Sequence, residues 1–586
     1  MLFERGNMTS KTPKFDQALD EYFSKLELDE KGGQWRVCRF SGEKFYVRLE
    51  DVEFYKKMRV PLPTLSPDER ERLILAFWNS YHLFNSKSAL TGNQIISQYP
   101  PNTQYKIYEH QLWYGGNWNP EDYEREYNSG ESFFEQFIKL HLNVPRPSLF
   151  INNTSVNSDY CNDSVNLKNC YLVFNAWDSE NCHYSISPVR SRDCVDCFDI
   201  FDSSLCAECF ESHELYNCRF VEFSKNCLDS TFLYDCRNCT YCFGGVNLRN
   251  KKYIFFGEQL TKEGYDKKIV GIDLGDRDIL AQYKSKFQTL IKTAIHKPNH
   301  NEKSVNSSGD YVRNSKDCFH CHWIDQSERC AYSIGAERTR DSYDVNTLDS
   351  ELSYMSSGSV GCYKIMFSNM MEGCRDSEYS DYCGNCHDVF GSIGLLNKSY
   401  CIFNKQYAEE EYWRVLDEIK KDMLLSGEYG EFFPPYISPF PYKISLAASY
   451  SGYDDLESAK KYGYVFEDIP QEAAGSLEDT VDSLEVPKNI KNIKDDILEK
   501  VIFDACNKKK FRFTKNELEF RRKFGLALPI EHFTARLKEK RDKFGSVVLR
   551  FYERVCPKCR IKFEAVYRPD DPRIVYCEPC YLKEIV

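Results

Sequence analysis

Every gap between the twelve cysteines from Cys161 to Cys242 is a multiple of three: 9, 12, 12, 3, 9, 3, 9, 9, 9, 3 and 3. An α-helix repeats its faces at steps of 3, 4 and 7 and does not generate such a series. The flanking residues argue against helix too, because Val, Ile, Phe, Tyr, Ser, Asn and Asp dominate. Pairs 21 residues apart recur: Cys161 and Cys182, Cys197 and Cys218, Cys206 and Cys227, Cys218 and Cys239. With short extended stretches, that period predicts a parallel β-helix of one coil per 21 residues. Coils stacked at about 4.8 Å align equivalent side chains in ladders. Many of the cysteines follow Asn or Asp, at Asn169, Asn181, Asp193, Asp196, Asn217, Asn226, Asp235 and Asn238. These residues tolerate left-handed backbone geometry and suit corners. The cysteine after each corner then points inward as a small apolar side chain.

The chain repeats itself. Eight further cysteines lie between Cys318 and Cys401, and their surroundings match the first cluster at a shift of 148 residues, then 147. Asn166–Cys170 matches Asn314–Cys318, and Cys182–Ile186 matches Cys330–Ile334. Further on, Cys227, Cys236 and Cys239 pair with Cys374, Cys383 and Cys386, and Phe243-Gly244 with Phe390-Gly391. A fainter outer duplication relates the residues after Cys38, up to Pro63, to those after Cys506, up to Pro529. There Phe45 aligns with Phe511, Glu53 with Glu519, Lys57 with Lys523 and Pro63 with Pro529. The expected fold is mainly β with α segments. Its parts are an N-terminal module with helices (1–150), a first solenoid (151–260), a helical connector (261–301), a second solenoid (302–403), a helix and linker (404–497), a second module (498–545) and a C-terminal ribbon (546–586). Helices after Tyr253–Phe256 and Tyr400–Phe403 are expected to cover the open end of each coil stack.

Metal chemistry is signalled most specifically at the C-terminus. Cys556-Pro-Lys-Cys559 and Cys577-Glu-Pro-Cys580 each form a tight knuckle aiming two thiolates at one point. They predict a ribbon holding one structural Zn2+, since four thiolates leave no open position for catalysis. A second possible ligand set is Cys194, Cys197, Cys206 and Cys209. Cys236-x-x-Cys239-x-x-Cys242 and the group Cys318, His320, Cys321 and His322 offer partial sets. The coil-wide period favours core ladders over these, because ligand pairs need no such period. The outer modules are expected to be metal-free: Cys38-Arg-Phe-Ser41 has Ser where a second Cys would sit. A helix capped by Ser66, with Pro67 and Glu69 behind it, is expected to run to about Phe84.

At 586 residues the chain requires several domains. No apolar run is long enough for a membrane span, and Met1 to Phe15 lacks the apolar core of a secretory signal. An intracellular, cytoplasmic location is expected, where the 26 cysteines stay reduced. A net charge of −12 removes any global attraction to nucleic acid. One basic stretch, Lys508 to Arg541, interleaves Phe with Lys and Arg and could contact phosphates.

Several stretches resemble a cysteine-rich family of small-genome uncultivated bacteria and large DNA viruses, in which zinc-knuckle modules flank a duplicated β-solenoid. The stretches are Cys38 to Pro63, Trp113 to Asn119, Phe133 to Arg146, Asn169 to Leu172, Asp235 to Cys239, Asn247 to Lys251, Gly427 to Pro434 and the ribbon. The resemblance implies complete zinc knuckles in the outer modules, from which this chain departs. It supports architecture more than activity. No phosphate-binding loop, HExxH or GxSxG motif occurs. Asp199 and Asp202 are the candidates for a β-helix enzyme acting on carbohydrate. The leading expectation is a non-catalytic scaffold mediating protein–protein assembly. A minor virion (capsid) component and a subunit of a bacterial complex are its specific versions. A nucleic-acid-binding ribbon protein is the alternative.

Overall fold

The computed structural model describes residues 10–152, 154–450, 456–467, 469 and 480–586. Part of the expected 404–497 linker and most of the N-terminal stretch tested for a signal lie outside these residues. The chain is mainly β and forms two compact units, each assembled from separate segments. One unit, called N here, contains residues 1–147, 299–469 and 546–550. The other, called C, contains 148–298, 470–545 and 551–586. The N-terminal module therefore belongs with the second solenoid, and the C-terminal module with the first. Among the described residues no helix is long and apolar enough to cross a membrane.

The coils are shorter than the cysteine pairs imply. In the first solenoid Cys194 lies beside Cys206, Phe198 beside Phe210, Arg219 beside Thr231, and Thr231 beside Phe243, all in parallel register. One coil is thus twelve residues, not twenty-one. The 21-residue recurrence is one full coil plus three of its four sides. Backbone φ turns positive at every third residue: Asn166, Asn169, Leu172, Asn175, Asp178 and Asn181 lie between 52° and 54°. Each side of the coil is a triplet of an outward residue, a left-handed corner and an inward residue.

That geometry explains the composition. Left-handed geometry costs most residues roughly 1–2 kcal/mol, and less for Asn and Asp. Stacked corner amides also hydrogen-bond from coil to coil: Asn157 donates to Asn169 (3.1 Å), Asn169 to Asn181 (3.3 Å) and Asn181 to Asp193 (3.0 Å). Inside, only four side chains per coil share a narrow core, and all twenty solenoid cysteines are buried there. Each thiol can donate to a carbonyl two residues back or nine residues on. Cys182 reaches the carbonyls of Glu180 (3.5 Å) and Ser191 (3.6 Å). Ser191, in a neighbouring column, makes the same pair of contacts to Val189 (3.0 Å) and Ile200 (3.3 Å). Cys and Ser therefore fill the same kind of position.

The second solenoid repeats this plan, with Tyr354 beside Met366 and His387 beside Ser399. Between Tyr343 and Tyr354 the coil has eleven residues, and the register shifts at Asn346/Thr347. This bulge is where the internal shift changes from 148 to 147. Each stack ends in an antiparallel hairpin, Ile254–Phe255 with Glu258–Gln259 and Ser399–Ile402 with Lys405–Gln406. A helix follows each. Tyr265 of Lys262–Val270 lies 5.9 Å from the Tyr253 ring, and Tyr412 of Glu409–Ser426 lies 5.6 Å from Tyr400.

The same charged contacts join module to solenoid in both units. In unit N, Arg70 donates to Asp344 (2.9 Å), and their side chains are 2% and 0% exposed. Tyr332 donates to Asp51 (2.8 Å), and the Arg70 guanidinium lies 5.3 Å from the Tyr332 ring. In unit C, Arg536 donates to Asp196 and lies 4.8 Å from the Tyr184 ring, while Tyr184 bonds Glu517. Asp196 and Asp344 are 148 residues apart, as are Tyr184 and Tyr332; Arg70 and Arg536 are 466 apart, as are Asp51 and Glu517. The inner and outer duplications therefore describe one repeated assembly.

Two mutational outcomes follow. Cys197→Leu forces extra methylenes into the coil and should cost about 1–3 kcal/mol in urea unfolding. Cys197→Ser, matching Ser185 one coil earlier, should cost less; equal losses would contradict the narrow-core account. Asp344→Asn strands the buried Arg70 charge and should cost about 3–5 kcal/mol, while Arg70→Met with Asp344→Leu should recover most of that loss. The same urea titration reads both.

Candidate metal centre

Four hairpins in this chain share one backbone design. The first of them runs from Gln34–Val37 to Lys44–Val47, with Gly42 at φ 74°. The second runs from Phe84–Lys87 to Gln94–Ser97, with Gly92 at 79°. The third is Val501–Asp504 with Lys509–Phe511, and Lys508 at 53°. The fourth is Tyr552–Val555 with Lys562–Ala565, and Arg560 at 65°. In three of them the amide of the first turn residue (Cys38, Ser88 or Cys556) bonds the carbonyl five residues on (2.8–2.9 Å). Each hairpin is followed by a helix whose N-cap returns to it: Ser66, Glu109, His532 and Cys577. Positions 38, 41 and 66 recur as 504, 507 and 532, and positions 88, 91 and 109 recur as 556, 559 and 577.

Only the last hairpin carries thiolate ligands at these positions. Cys556, Cys559, Cys577 and Cys580 bring their sulfurs within 4.8 Å of one another. Among the described residues this is the one such group of potential metal ligands. Cys556 and Cys577 are buried, and Cys559 is exposed. Burial opposes the Cys556 thiolate, but the amide N–H groups of Cys559, Cys577 and Lys558 outweigh it and bring its pKa down to about 6. Burial and the neighbouring thiols push Cys580 up to about 12. Four sulfurs this close cannot all ionise without a cation between them, so the donor set fits a metal ion.

The other three hairpins place hydrogen-bonded polar groups where the ligands would be. Ser88 and Thr91 both donate to the Glu109 carboxylate. Burial opposes that charge, yet the two hydroxyls hold Glu109 below the usual carboxylate range. Asp504 accepts from the Asn507 side chain (2.7 Å) and the His532 amide (2.8 Å). Cys38 is buried, but Ser41 and Ser66 lower its pKa despite that burial. The register puts Asp504, not Cys506, in the position of Cys38, and Cys506 is exposed in the turn. The helix after Ser66 ends at Leu75, well short of Phe84, where a strand begins.

The ribbon is tied to its unit. Ile574–Val575 pairs in parallel with Ile295–His296, the strand before the second solenoid. Tyr581 donates to Asp235 and accepts from Arg249 (2.8 Å) at the edge of the first solenoid.

The alternative ligand set brings neighbouring sulfurs into contact but does not hold all four within 4.8 Å of one another. Cys194, Cys197, Cys206 and Cys209 occupy two inward ladders, with sulfurs facing the carbonyls of Arg192 (3.2 Å), Val195 (3.4 Å), Ser204 (3.4 Å) and Ala207 (3.5 Å). A thiol donates to those oxygens; a thiolate ligand would be repelled by them. Cys236, Cys239 and Cys242 face Tyr234, Arg237 and Thr240 carbonyls in the same way (3.4–3.5 Å). So do Cys318 and Cys321, facing Lys316 and Phe319 (3.4–3.5 Å). Burial pushes Cys218 up to about 12 and Cys362 up to about 11, whereas bonds from neighbouring thiols bring Cys318 down to about 3 and Cys386 down to about 4.

The remaining candidates are spent in internal contacts. Asp199 is buried and Asp202 is ion-paired with Arg190 (2.7 Å). In the basic stretch, Arg521 and Arg536 are buried against Asp196, Arg522 pairs with Asp495 (2.6 Å), and Lys538 with Asp542 (2.5 Å). An open acidic depression of about 530 Å³ is lined by Asp122, Tyr123, Glu124, Arg125, Glu126 and Asn143. Ser88, Thr91 and Glu109 carry no cysteine to mark them; the 468-residue shift to Cys556, Cys559 and Cys577 is the signal in the sequence.

No family model matches the chain, and no curated protein does. Solved structures similar to parts of it include one described as "putative acetyltransferase from Desulfovibrio desulfuricans G20", at 9% identity and a TM-score of 0.10. That likeness covers 48% of this chain and 71% of the other. At such values it carries no argument about fold or activity.

Purified protein should hold about one metal ion per chain. Cys577→Ser should lose it, and chelation should loosen the ribbon while the solenoid circular dichroism persists. Metal analysis showing several ions, or one ion retained by the variant, would count against this site.

Proposed function

We propose that this chain is a non-catalytic scaffold that carries one structural Zn2+ and organises other proteins. The observation that carries the reading is the filled interior. Every inward column of both solenoids holds packed, small or apolar side chains, so the coils enclose no chamber for a substrate. Four thiolates suit zinc above harder metals and form a closed site that stabilises a fold. Tyr216, Leu228, Tyr241 and Tyr363 are exposed on outer coil faces, where aromatic side chains serve protein contacts. The family resemblance makes a minor component of an intracellular virion assembly one version, and a subunit of a bacterial complex another.

Two observations weigh against the alternatives. The burial of Arg521 and Arg536 removes two charges from any phosphate-contacting face. The carbohydrate-enzyme reading loses support from the burial of Asp199 and the pairing of Asp202.

Tagged protein isolated from its native cells should migrate with a large assembly, and it should not retain duplex or single-stranded DNA at about 150 mM salt. Migration as a lone chain, or DNA retention that falls steeply with salt, would overturn the reading.

A further inference from the structure

The two copies of the outer module differ at one edge. In unit C the hairpin Val501–Asp504 with Lys509–Phe511 gains a third strand from the chain itself. Thr480–Asp482 runs parallel to it, with Thr480 beside Val501, Val481 beside Ile502 and Asp482 beside Phe503. In unit N the equivalent hairpin is a two-stranded sheet, and among the described residues nothing pairs with the outer edge of Gln34–Val37. Its side chains are left in solvent: Trp35 is 64% exposed and Val37 58%. The Trp35 ring lies beside Tyr46 of the neighbouring strand, with centroids 5.2 Å apart and planes tilted by 48°. An open, apolar strand edge is a template for another strand.

We propose that the outer edge of Gln34–Val37 binds an extended segment of a partner protein, in parallel, as Thr480–Asp482 binds the duplicated module. The chemistry of that segment follows from the differences between the two hairpins. Trp35 and Val37 stand where Val501 and Phe503 stand beside Thr480 and Asp482, but they leave far more apolar surface in solvent (64% and 58% exposed), and apolar partner residues would cover it. Arg36 stands where Ile502 stands, beside Val481. Arg36 bonds only Gln34 of its own strand (2.9 Å) among the bonds resolved for it, and its charge favours an acidic residue opposite. The partner segment is therefore apolar–acidic–apolar, with no proline. A second copy of the same hairpin does not meet this description, because it would set Arg36 toward another Trp–Arg–Val strand.

This inference deepens the assembly reading and names one contact within it. If the edge fails while the protein still migrates with an assembly, the scaffold reading stands and the site is wrong. The probe is a capped heptapeptide with an Ile-Glu-Ile centre, titrated into the full-length protein by calorimetry, with Ile-Lys-Ile as control. The Glu peptide should bind at least about tenfold more tightly than the Lys peptide, a difference of about 1.4 kcal/mol. Arg36→Glu should invert that preference, and Trp35→Ala should weaken both. Trp35 is exposed and Arg36 half-buried, and unchanged circular dichroism confirms the fold. Equal binding of the two peptides, no binding of either, or an unchanged preference in Arg36→Glu overturns the proposal. Concentration-dependent dimerisation abolished by Trp35→Glu would overturn it too, by assigning the edge to a second copy.

Discussion

The width of the coil governs this protein. Twelve residues make four sides of three, and each side turns one side chain inward. Four side chains then share a core at about 4.8 Å per layer, which admits Cys, Ser, Ala or Val and an occasional larger residue where neighbours shrink. Cysteine suits this interior for a physical reason beyond size. Its thiol can add a bond to a carbonyl of the ladder, as Cys182 does at Glu180 (3.5 Å), which also accepts from the Asp193 amide, while its sulfur packs like an apolar atom. Serine does the same with a shorter reach, so both residues occur in the inward columns.

The corners carry the second half of the constraint. A left-handed residue every third position is a heavy demand, met at many water-facing corners by Asn and Asp, with exceptions such as Arg190, Glu214 and Lys364. Where the corners are Tyr184, Phe220 and Phe232, or Tyr332, Phe367 and Tyr379, a module or helix covers them. Bulky left-handed residues are thus tolerated where docking offsets their strain. The buried Arg70–Asp344 and Arg536–Asp196 pairs sit in these same columns and set which module meets which solenoid. A buried ion pair adds little net stability, but an Arg without its Asp is costly, which makes it a selector of partners.

Much of this was legible in the chain. The gaps in multiples of three reported the triplet directly, and the Asn and Asp before many of the cysteines reported the corners. The ribbon ligands were plain because CxxC has few other uses in a chain of this kind. The coil length was misread because cysteines report only some inward positions. Cys170, Cys182, Cys194, Cys206 and Cys218 form an unbroken twelve-residue ladder, but cysteines of neighbouring columns add the 21-residue pairs that mask it. The crossed pairing of modules with solenoids was invisible, since it rests on Arg70 meeting Asp344 across 274 residues. The equivalence of Ser88, Thr91 and Glu109 to the ribbon was hidden for a related reason: the spacing is shared while the chemistry at those positions is not.

The claim that most depends on this account is that the solenoid cysteines are packed thiols and hold no metal. Alkylation of the native, metal-loaded protein followed by peptide mass mapping tests it directly. The account predicts rapid labelling at Cys506, labelling of Cys556, Cys559, Cys577 and Cys580 once metal is removed, and protection of the twenty solenoid thiols until global unfolding. Release of solenoid thiols by a chelator alone, with the fold otherwise intact, would contradict it.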